Sequence, residues 1–462
     1  MINFIKNVIA LIGVLAIVSK YKILQNIDCT NLSFLFRSII KLINFLFYPI
    51  CLLYRNNQQY SDRLTNCLKE LGPAYIKLGQ TLSTRPDLIG SNMADSLKIL
   101  QDKLPPFSTQ EAKKIITACL KMEIDQVFSF FPKEVVVAAS IAQVYKAQLV
   151  TGEEVAVKVL RPNVQAEYLE NIETLHFIAK ILLKFLPKVK RLKLVEVIDI
   201  LRNSMVSELD MRIEAASYSE MLDNFISDRN TYIPKVYWEF TAEKVLTVEW
   251  IHGLPIRERQ LIINQGTSLK DLSEKVILMF FNQAYRDGFF HADLHHGNVL
   301  VLPDGKIGLV DFGIIGRLSE KDRIAVAEIL YAFLERDYKK VAKIHLQAGY
   351  IPENTNLDLF SQYCRSIAEP IIGLSLKNLS LGKLLAQLFM ITENFGMETQ
   401  PQLLLLQKTM IVVEGISRDL NPDINIWELM KPWMKKWAAK NISIEARLFR
   451  SLSSILKQLV NY

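Results

Sequence analysis

Two short apolar runs in the second half of the chain flank a turn signal. Val299–Leu302 and Ile307–Val310 are separated by a polar segment that contains Asp304-Gly305. An Asp-Gly dipeptide between apolar runs predicts a hairpin of two antiparallel strands. Such a hairpin brings Asn298, which precedes the first strand, close to Asp311, which follows the second.

The polar residues at the open end of this hairpin are typical of phosphoryl-transfer chemistry. Asn298 and Asp311 offer an amide oxygen and a carboxylate that can hold Mg²⁺ against nucleotide phosphates. Asp293 stands five residues before Asn298 and can orient an attacking hydroxyl or water. The order matches a kinase catalytic loop followed by a metal-binding Asp-Phe-Gly. Because the elements coincide, we favour this interpretation over a strand that merely ends in an exposed carboxylate.

Three histidines accompany Asp293 in this segment. His295 and His296 are adjacent, so they would point to opposite sides of an extended segment, and no Cys or third His stands at ligand spacing nearby. We therefore predict no metal site at this pair. His291 is predicted to anchor the loop by donating a hydrogen bond to the backbone.

A short apolar strand upstream contains a single lysine. Within Glu154–Leu160, alternation places Lys158 on the face of Ala156 and away from the three valines. A lysine on a strand well ahead of the catalytic loop is typical of the phosphate-anchoring lysine of a kinase. We prefer this interpretation to an exposed lysine on an edge strand.

The helix-compatible segment 199–225 could supply a carboxylate partner for this lysine. It lacks Gly and Pro and contains Glu208, Asp210 and Glu214. On a helix, Asp210 and Glu214 would share a face, while Glu208 would lie with Arg212 on roughly the opposite face. The spacing leaves open whether Glu208 only forms a surface pair with Arg212.

The loop before the lysine strand lacks the glycines of an ordinary kinase. Gly152 is the only glycine between residues 134 and 158. In place of a glycine-rich loop stand Ala138, Ala139 and Ser140, the residues predicted to cover the nucleotide. Alanine carries a Cβ, so this loop cannot approach phosphates as glycine does. We therefore expect altered nucleotide handling.

Four motifs in order make the chain resemble the UbiB family of atypical protein-kinase-like proteins, which is associated with ubiquinone biosynthesis. They are Lys77-Leu78-Gly79-Gln80, the alanine-rich loop, Glu208-Leu209-Asp210, and the run from His291 to Asn298. The resemblance extends from about residue 70 to about residue 318. This chain departs from the family's usual pattern at Val135, Val137 and His296, which replace Pro, Ala and Pro. These departures spare the residues expected to touch metal and phosphate.

The resemblance implies a role for each residue at the expected nucleotide site. Lys158 would be the ATP lysine and Glu214 its partner. Asp293 would be the catalytic residue, and Asn298 and Asp311 would bind Mg²⁺. ATP and Mg²⁺ are therefore the expected cofactors.

The resemblance also implies a restraint on substrate access. Lys77 and Gln80 would lie on an N-terminal helical extension, opposite Glu208 and Asp210. This extension would pack over the site where a protein substrate would bind, so protein phosphorylation is the less expected outcome.

The expected fold is α+β, a two-lobed protein-kinase-like domain with an N-terminal helical extension and a helical C-terminal region. The proposed divisions are 1–69 (apolar, membrane-associating), 70–132 (helical extension), 133–253 (N-lobe), 254–420 (C-lobe) and 421–462 (basic, Trp-rich).

Composition suggests contact with an anionic membrane surface. Half of the residues are hydrophobic and the formal net charge is +7. The apolar run Val8–Val18 is 11 residues long, shorter than the roughly 20 that a transmembrane helix needs. It is compatible with an anchoring or interfacial helix or with core packing. In 421–462 three tryptophans alternate with lysines, as in interfacial helices.

We therefore expect an ATPase or phosphotransferase that supports ubiquinone biosynthesis at the bacterial inner membrane, with its catalytic domain facing the cytoplasm. Expected partners are membrane lipids, quinone-pathway proteins or polyprenyl intermediates, and a second copy in a homodimer. Nucleic acid is not expected, since no basic run with interleaved aromatics and no zinc-finger spacing occurs. Two alternatives are a small-molecule phosphotransferase of the aminoglycoside or choline kinase type and a non-catalytic lipid-binding scaffold.

Overall fold

The computed structural model describes residues 2–441 apart from 27–33, 54–59, 84–92, 94–95, 98–104, 140, 186–194, 196–197, 200, 203–204, 206–207, 373–379 and 397–399. Within these residues the chain forms two compact units. The first unit comprises Met1–Ile213 and Tyr237–Glu249, and the second comprises Glu214–Val236 and Trp250–Tyr462.

The strands of the described chain are β1 (Phe128–Phe130), β2 (Val137–Ala138), β3 (Ala142–Leu149), β4 (Glu154–Leu160), β5 (Thr231–Tyr232), β6 (Val245–Glu249), β7 (Leu254–Pro255), β8 (Phe289–His291), β9 (Val299–Val301), β10 (Ile307–Leu309) and β11 (Ile315–Arg317).

The α-helices are α1 (Ile2–Lys20), α2 (Phe34–Leu46), α3 (Tyr48–Leu53), α4 (Tyr60–Leu71), α5 (Pro73–Ser83), α6 (Thr109–Leu120), α7 (Ile124–Val127), α8 (Val164–Phe185), α9 (Met211–Phe225), α10 (Arg259–Asn264), α11 (Leu269–Phe281), α12 (Glu320–Leu334), α13 (Tyr338–Ala348), α14 (Leu357–Ile372), α15 (Leu381–Asn394), α16 (Pro401–Leu420) and α17 (Ile426–Asn441).

The first unit is built on an antiparallel sheet in the order β1-β3-β4-β6, with β2 paired to β3. Burial along β4 alternates, because its three valines pack into the core while Lys158 lies on the other face. The core is completed by Ile116 of α6 and Tyr145 of β3. The predicted orientation of Lys158 is therefore confirmed.

N-terminal helices pack together in the same unit. Helix α5 contacts α4 and α8, and α1 contacts α3, α4 and α8. At the end of α1, Lys20 donates to the carboxylate of Glu70 at 2.7 Å, and the hydroxyl of Tyr21 donates to the same group at 2.7 Å. None of the helices in the described ranges is both long enough and apolar enough to cross a membrane.

The second unit contains a sheet in the order β5-β10-β9-β7 and a two-stranded sheet of β8 and β11. Helix α11 begins at the N-cap Ser268, whose side chain accepts from the Asp271 N–H, and buries an apolar face. It continues as a π-helical turn, Asn282–Asp287, which ends at Gly288. Gly288 has a φ of 69°, and a Cβ there would lie 2.9 Å from the Leu318 carbonyl oxygen. Glycine at this position therefore permits the turn into β8.

Helix α17 carries the three tryptophans that resembled those of an interfacial helix. Trp433 donates from Nε1 to Asn282 Oδ1 at 2.9 Å, and Trp437 donates from Nε1 to the Tyr285 carbonyl at 2.8 Å. Trp427 is also buried. These indoles pack inside the second unit, so the interpretation of them as membrane-facing was wrong.

Candidate active site

The predicted hairpin is present in the second unit. Strands β9 and β10 pair antiparallel, and the turn closes with a hydrogen bond from the Leu302 N–H to the Lys306 carbonyl at 2.9 Å. Gly305 occupies the left-handed region, with a φ of 76°, as a tight turn requires. At the other end, the Val310 N–H donates to the Asn298 carbonyl at 3.1 Å. The pairing therefore places Asn298 beside the segment that leads into Asp311, as predicted.

Asp311 adopts an unusual backbone conformation at the end of the hairpin. Its φ is 65°, a left-handed value that aspartate tolerates better than most residues. Its N–H donates to the Tyr218 hydroxyl at 2.8 Å. The next residue, Phe312, is fully buried and packs edge-on against the Tyr218 ring with centroids 4.6 Å apart. Tyr218 of helix α9 thus contacts both the backbone N–H of Asp311 and the ring of the next residue, Phe312. Asp311 itself remains exposed.

Glu214 lies on the same helix as Tyr218 and is buried. A Cβ added to Gly313 would lie 3.5 Å from Asp311 Oδ1 and 3.9 Å from Glu214 Oε2. The two carboxylates therefore border the same glycine. The expected partner of Glu214, Lys158, belongs to the first unit, so that pairing stays a prediction.

The catalytic loop is anchored by His291. Its Nδ1 accepts from the Asp293 N–H at 3.2 Å, and its Nε2 donates to the Val310 carbonyl at 3.2 Å. Burial is the main cause that lowers the pKa of His291, so the ring is neutral at neutral pH. This confirms the predicted role of His291 as an anchor for the loop.

Asn298 closes the same loop. Its Nδ2 donates to the Asp293 carbonyl at 3.2 Å, which leaves Oδ1 as the atom suited to a cation. No cluster of three or more His, Cys, Asp or Glu suited to a metal occurs among the described residues. Asn298 and Asp311 still fit Mg²⁺, since this ion binds oxygen and completes its shell with water and phosphate.

Asp293 has a partner that the sequence did not suggest. Lys408, on α16, lies with its Nζ 3.1 Å from Asp293 Oδ1. The two residues are 115 positions apart, and no local motif marks Lys408. The loop's second contact with α16 joins His296 Nε2 to Asp419 Oδ2 at 3.2 Å.

The alanine-rich segment forms the tip of the β2–β3 hairpin in the first unit. Ala138 pairs with Gln143, and the Ala139 N–H donates to the Ala142 carbonyl at 2.8 Å. Arg161 Nε donates to the Ala139 carbonyl at 3.0 Å. Neither alanine is among the described residues with a positive φ. Ser140, the third predicted residue of this loop, lies outside the described residues.

Lys77 of α5 contacts Glu208 in the first unit, with Nζ 2.5 Å from Oε1. Asp210 instead binds Arg212, accepting from Nε at 2.9 Å and from Nη2 at 2.7 Å. The alternative left open by spacing, a surface pair of Glu208 with Arg212, is not formed, because α9 begins only at Met211 and helical spacing does not extend back to Glu208. Gln80 follows Lys77 on the same helix, after about one turn.

Comparisons with known proteins agree with this kinase-like arrangement. The ABC1 atypical kinase-like domain matches residues 99–345, and the UbiB helical domain matches residues 364–425. A solved structure, the complex of Rv3197 with erythromycin from Mycobacterium tuberculosis, is similar with a TM-score of 0.53 and 25% identity, and covers 80% of this chain and 94% of that chain. Fold and matching domain together define a protein-kinase-like α+β protein with a helical C-terminal region.

Two curated relatives give the family. The probable protein kinase UbiB of Azotobacter vinelandii is 40% identical over 409 residues, which are 88% of this chain and 76% of the relative. That of Marinobacter nauticus is 40% identical over 418 residues, 90% of this chain and 76% of the relative. This chain belongs to the UbiB family of atypical kinase-like proteins, as the motifs predicted, and the family implies ubiquinone biosynthesis.

Proposed function

We propose that the protein binds ATP with Mg²⁺ and hydrolyses it or transfers its terminal phosphoryl group. One observation carries the proposal. The hairpin sets Asn298 next to the segment entering Asp311, which has a left-handed backbone and is exposed there. A strained conformation that is held by neighbouring contacts is characteristic of functional sites.

The polar residues of the second unit would divide the work. Asp311 and Asn298 would hold the cation, which would supply charge neutralisation on the phosphates. Asp293 would orient an attacking hydroxyl or water and accept its proton, and neutral His291 would keep the Asp293 backbone in place. In the first unit, Lys158 would bind nucleotide phosphates.

A direct test combines calorimetry of nucleotide binding with phosphate release. Wild type should bind Mg-ATP, lose this affinity with EDTA, and release phosphate at a rate that Asp293→Asn lowers by about 100-fold or more. This substitution keeps the size of the side chain while it removes the carboxylate charge. Equal rates for wild type and Asp293→Asn would refute the catalytic assignment.

Support of ubiquinone biosynthesis is the biological setting that we propose. It follows from family membership, and quinone-pathway proteins or polyprenyl intermediates are the partners that fit it. Quinone profiling of a deletion strain complemented with wild type or Asp293→Asn tests this role. Restoration by wild type alone would support a catalytic contribution. Full restoration by Asp293→Asn would favour a scaffold.

We also propose that the N-terminal helices lie on the bacterial inner membrane. Helix α1 exposes Ile5, Ile9 and Ile12, which share a face, and α2 exposes Phe45 and Leu46. Exposed apolar residues on these helices, in a positively charged chain, fit an anionic lipid surface.

Vesicle flotation tests the membrane contact. Wild type should float with vesicles that contain anionic phosphatidylglycerol, and Ile9→Glu with Phe45→Glu should remain in solution. Ile226→Glu is a matched control, because Ile226 is 78% exposed but lies in the second unit. Equal flotation of the α1–α2 variant and wild type would rule out this surface.

A further inference from the structure

Lys408 contacts the residue assigned to catalysis from a distant helix. Its Nζ lies 3.1 Å from Asp293 Oδ1, and both side chains are 43% exposed. Ion pairs at this exposure contribute little to stability, because water screens them. Stabilisation of the fold therefore does not explain why this contact is present.

One side of helix α16 contacts the catalytic loop at two points. Lys408 and Asp419 are 11 residues apart, which returns to the same side of a helix after about three turns. Both contact the loop, Lys408 through Asp293 and Asp419 through His296. The opposite face is buried, as at Leu406 and Met410. Because that face is fixed by packing, the backbone of Lys408 is held beside Asp293.

The catalytic segment itself supplies little positive charge. Between Asp293 and Asp311 the sequence contains one lysine, Lys306, and no arginine. Lys306 lies at the turn of the hairpin, away from its open end, and its Nζ is 2.8 Å from Asp304 Oδ2. Phosphoryl transfer develops negative charge on the transferred group, which enzymes stabilise with metal ions and with Lys or Arg.

We propose that Lys408 is a functional cation of the phosphoryl-transfer site, supplied by the helical region and not by the catalytic loop. The inference rests on the proposed function. Lys408 positions the Asp293 carboxylate and binds an oxygen of the transferred phosphoryl group, for which its three N–H donors suffice.

The step balances without a further reactant. The oxygen of a water or hydroxyl forms a bond to the terminal phosphorus while the bond from phosphorus to the ADP oxygen breaks. Asp293 accepts the proton of the attacking group. The ammonium group of Lys408 keeps its own protons and stabilises the charge on the equatorial phosphoryl oxygens.

Steady-state kinetics of Lys408→Met, Lys408→Arg and Lys435→Met test the proposal. Lys408→Met should lower kcat about 10- to 100-fold with little change in KM for Mg-ATP, because the interaction strengthens in the transition state. Lys408→Arg should recover most of the lost rate. Lys435, an exposed lysine of α17, controls for the loss of a surface charge. Thermal unfolding of all three variants should match wild type.

Asp293→Asn, measured in parallel, separates this inference from the proposed function. If Asp293→Asn is impaired but Lys408→Met turns over like wild type, the role of Lys408 is refuted and the proposed function stands. A lower melting temperature with no rescue by Lys408→Arg would show a structural lysine and also refute it. If wild type itself neither binds nor hydrolyses Mg-ATP, both proposals fail. The loss in the double variant should be smaller than the product of the two single losses, since residues in contact are not additive.

Discussion

Two lysine–carboxylate contacts join distant parts of the sequence, one in each unit, and they differ in how exposed their side chains are to solvent. Lys77 and Glu208 are 131 positions apart, and their side chains are only 18% and 11% exposed. Lys408 and Asp293 are 115 positions apart and are each 43% exposed. The Lys77 contact is also the shorter one, with an N···O distance of 2.5 Å against 3.1 Å for Lys408 and Asp293.

Solvent exposure determines what each contact is expected to do. Removing one partner of a poorly solvated pair leaves a charge that lacks both its partner and water, which destabilises the surrounding structure. Removing one partner of an exposed pair leaves a charge that water can solvate, so stability changes little. The Lys77 contact should therefore hold a helix in place, and the Lys408 contact should matter mainly during the reaction.

Asp311→Asn should give the largest effect. The amide keeps the shape of the side chain but removes the principal negative charge at the proposed cation site, so affinity for Mg-ATP should fall about 100-fold or more. The melting temperature should be nearly unchanged, because the carboxylate is exposed. Titration calorimetry checks the first result and thermal unfolding the second. Unchanged Mg-ATP affinity would refute the metal assignment.

Lys77→Ala should act mainly on stability. Because the contact is partly solvated, the loss should be about 2 kcal/mol, below the range for fully buried pairs. Hydrogen exchange should accelerate in α5 and around Glu208. Lys20→Ala is a matched control, since the Lys20–Glu70 pair of the same unit is 30% and 35% exposed.

Lys77→Ala also tests the proposed restraint. If Lys77 holds the extension down, ATP turnover or access of a protein substrate should change together with exchange in α5. If wild type and Lys77→Ala show equal protection from hydrogen exchange and equal ATP turnover, the restraint hypothesis is refuted. The two contacts would then not differ in what they do.

Tyr218→Phe should have an intermediate effect. It removes the hydroxyl that accepts from the Asp311 N–H but keeps the ring against Phe312. Loss of one such hydrogen bond costs about 1 kcal/mol, so Mg-ATP affinity should fall roughly fivefold. Tyr363→Phe, on an exposed tyrosine of α14, is the control. A variant with wild-type affinity would show that Asp311 keeps its conformation without the Tyr218 hydroxyl.

Ala139→Gly should have the smallest effect, a change of a few fold in nucleotide affinity together with the onset of autophosphorylation. Without the Cβ, backbone N–H groups can approach phosphates more closely. Ala166→Gly, exposed in the first turn of α8, controls for added backbone freedom. If affinity and phosphorylation both match wild type, the alanine-rich hairpin does not cover the phosphates.

Local sequence rules predicted much of the catalytic hairpin. The Asp304-Gly305 turn and its flanking apolar runs determine the pairing of β9 with β10, and strand alternation determines the face of Lys158. His291 was also predictable, because its role depends on neighbours within the same loop and hairpin. In these cases the interacting residues are close in sequence or share one periodic element.

Contacts across long separations were not predictable in the same way. Nothing near Lys408 marks it, since its position beside Asp293 follows from the packing of α16. Spacing left open whether Glu208 pairs with Arg212, and only the start of α9 at Met211 shows that Arg212 binds Asp210 instead. The family resemblance predicted the contact of Lys77 with Glu208, although spacing alone did not.

The π-helical turn before β8 depends on helix α17 for two hydrogen bonds. A π turn holds one more residue than an α turn, and the last carbonyl groups of a helix lack partners within it. Here the Tyr285 carbonyl accepts from Trp437, and Asn282 accepts from Trp433, both on α17. A chain shortened before Ile426 would leave this turn without its indole donors, and the turn ends four residues before His291. Helix α17 is thus a constraint that any shortened or recombined version of this protein must preserve.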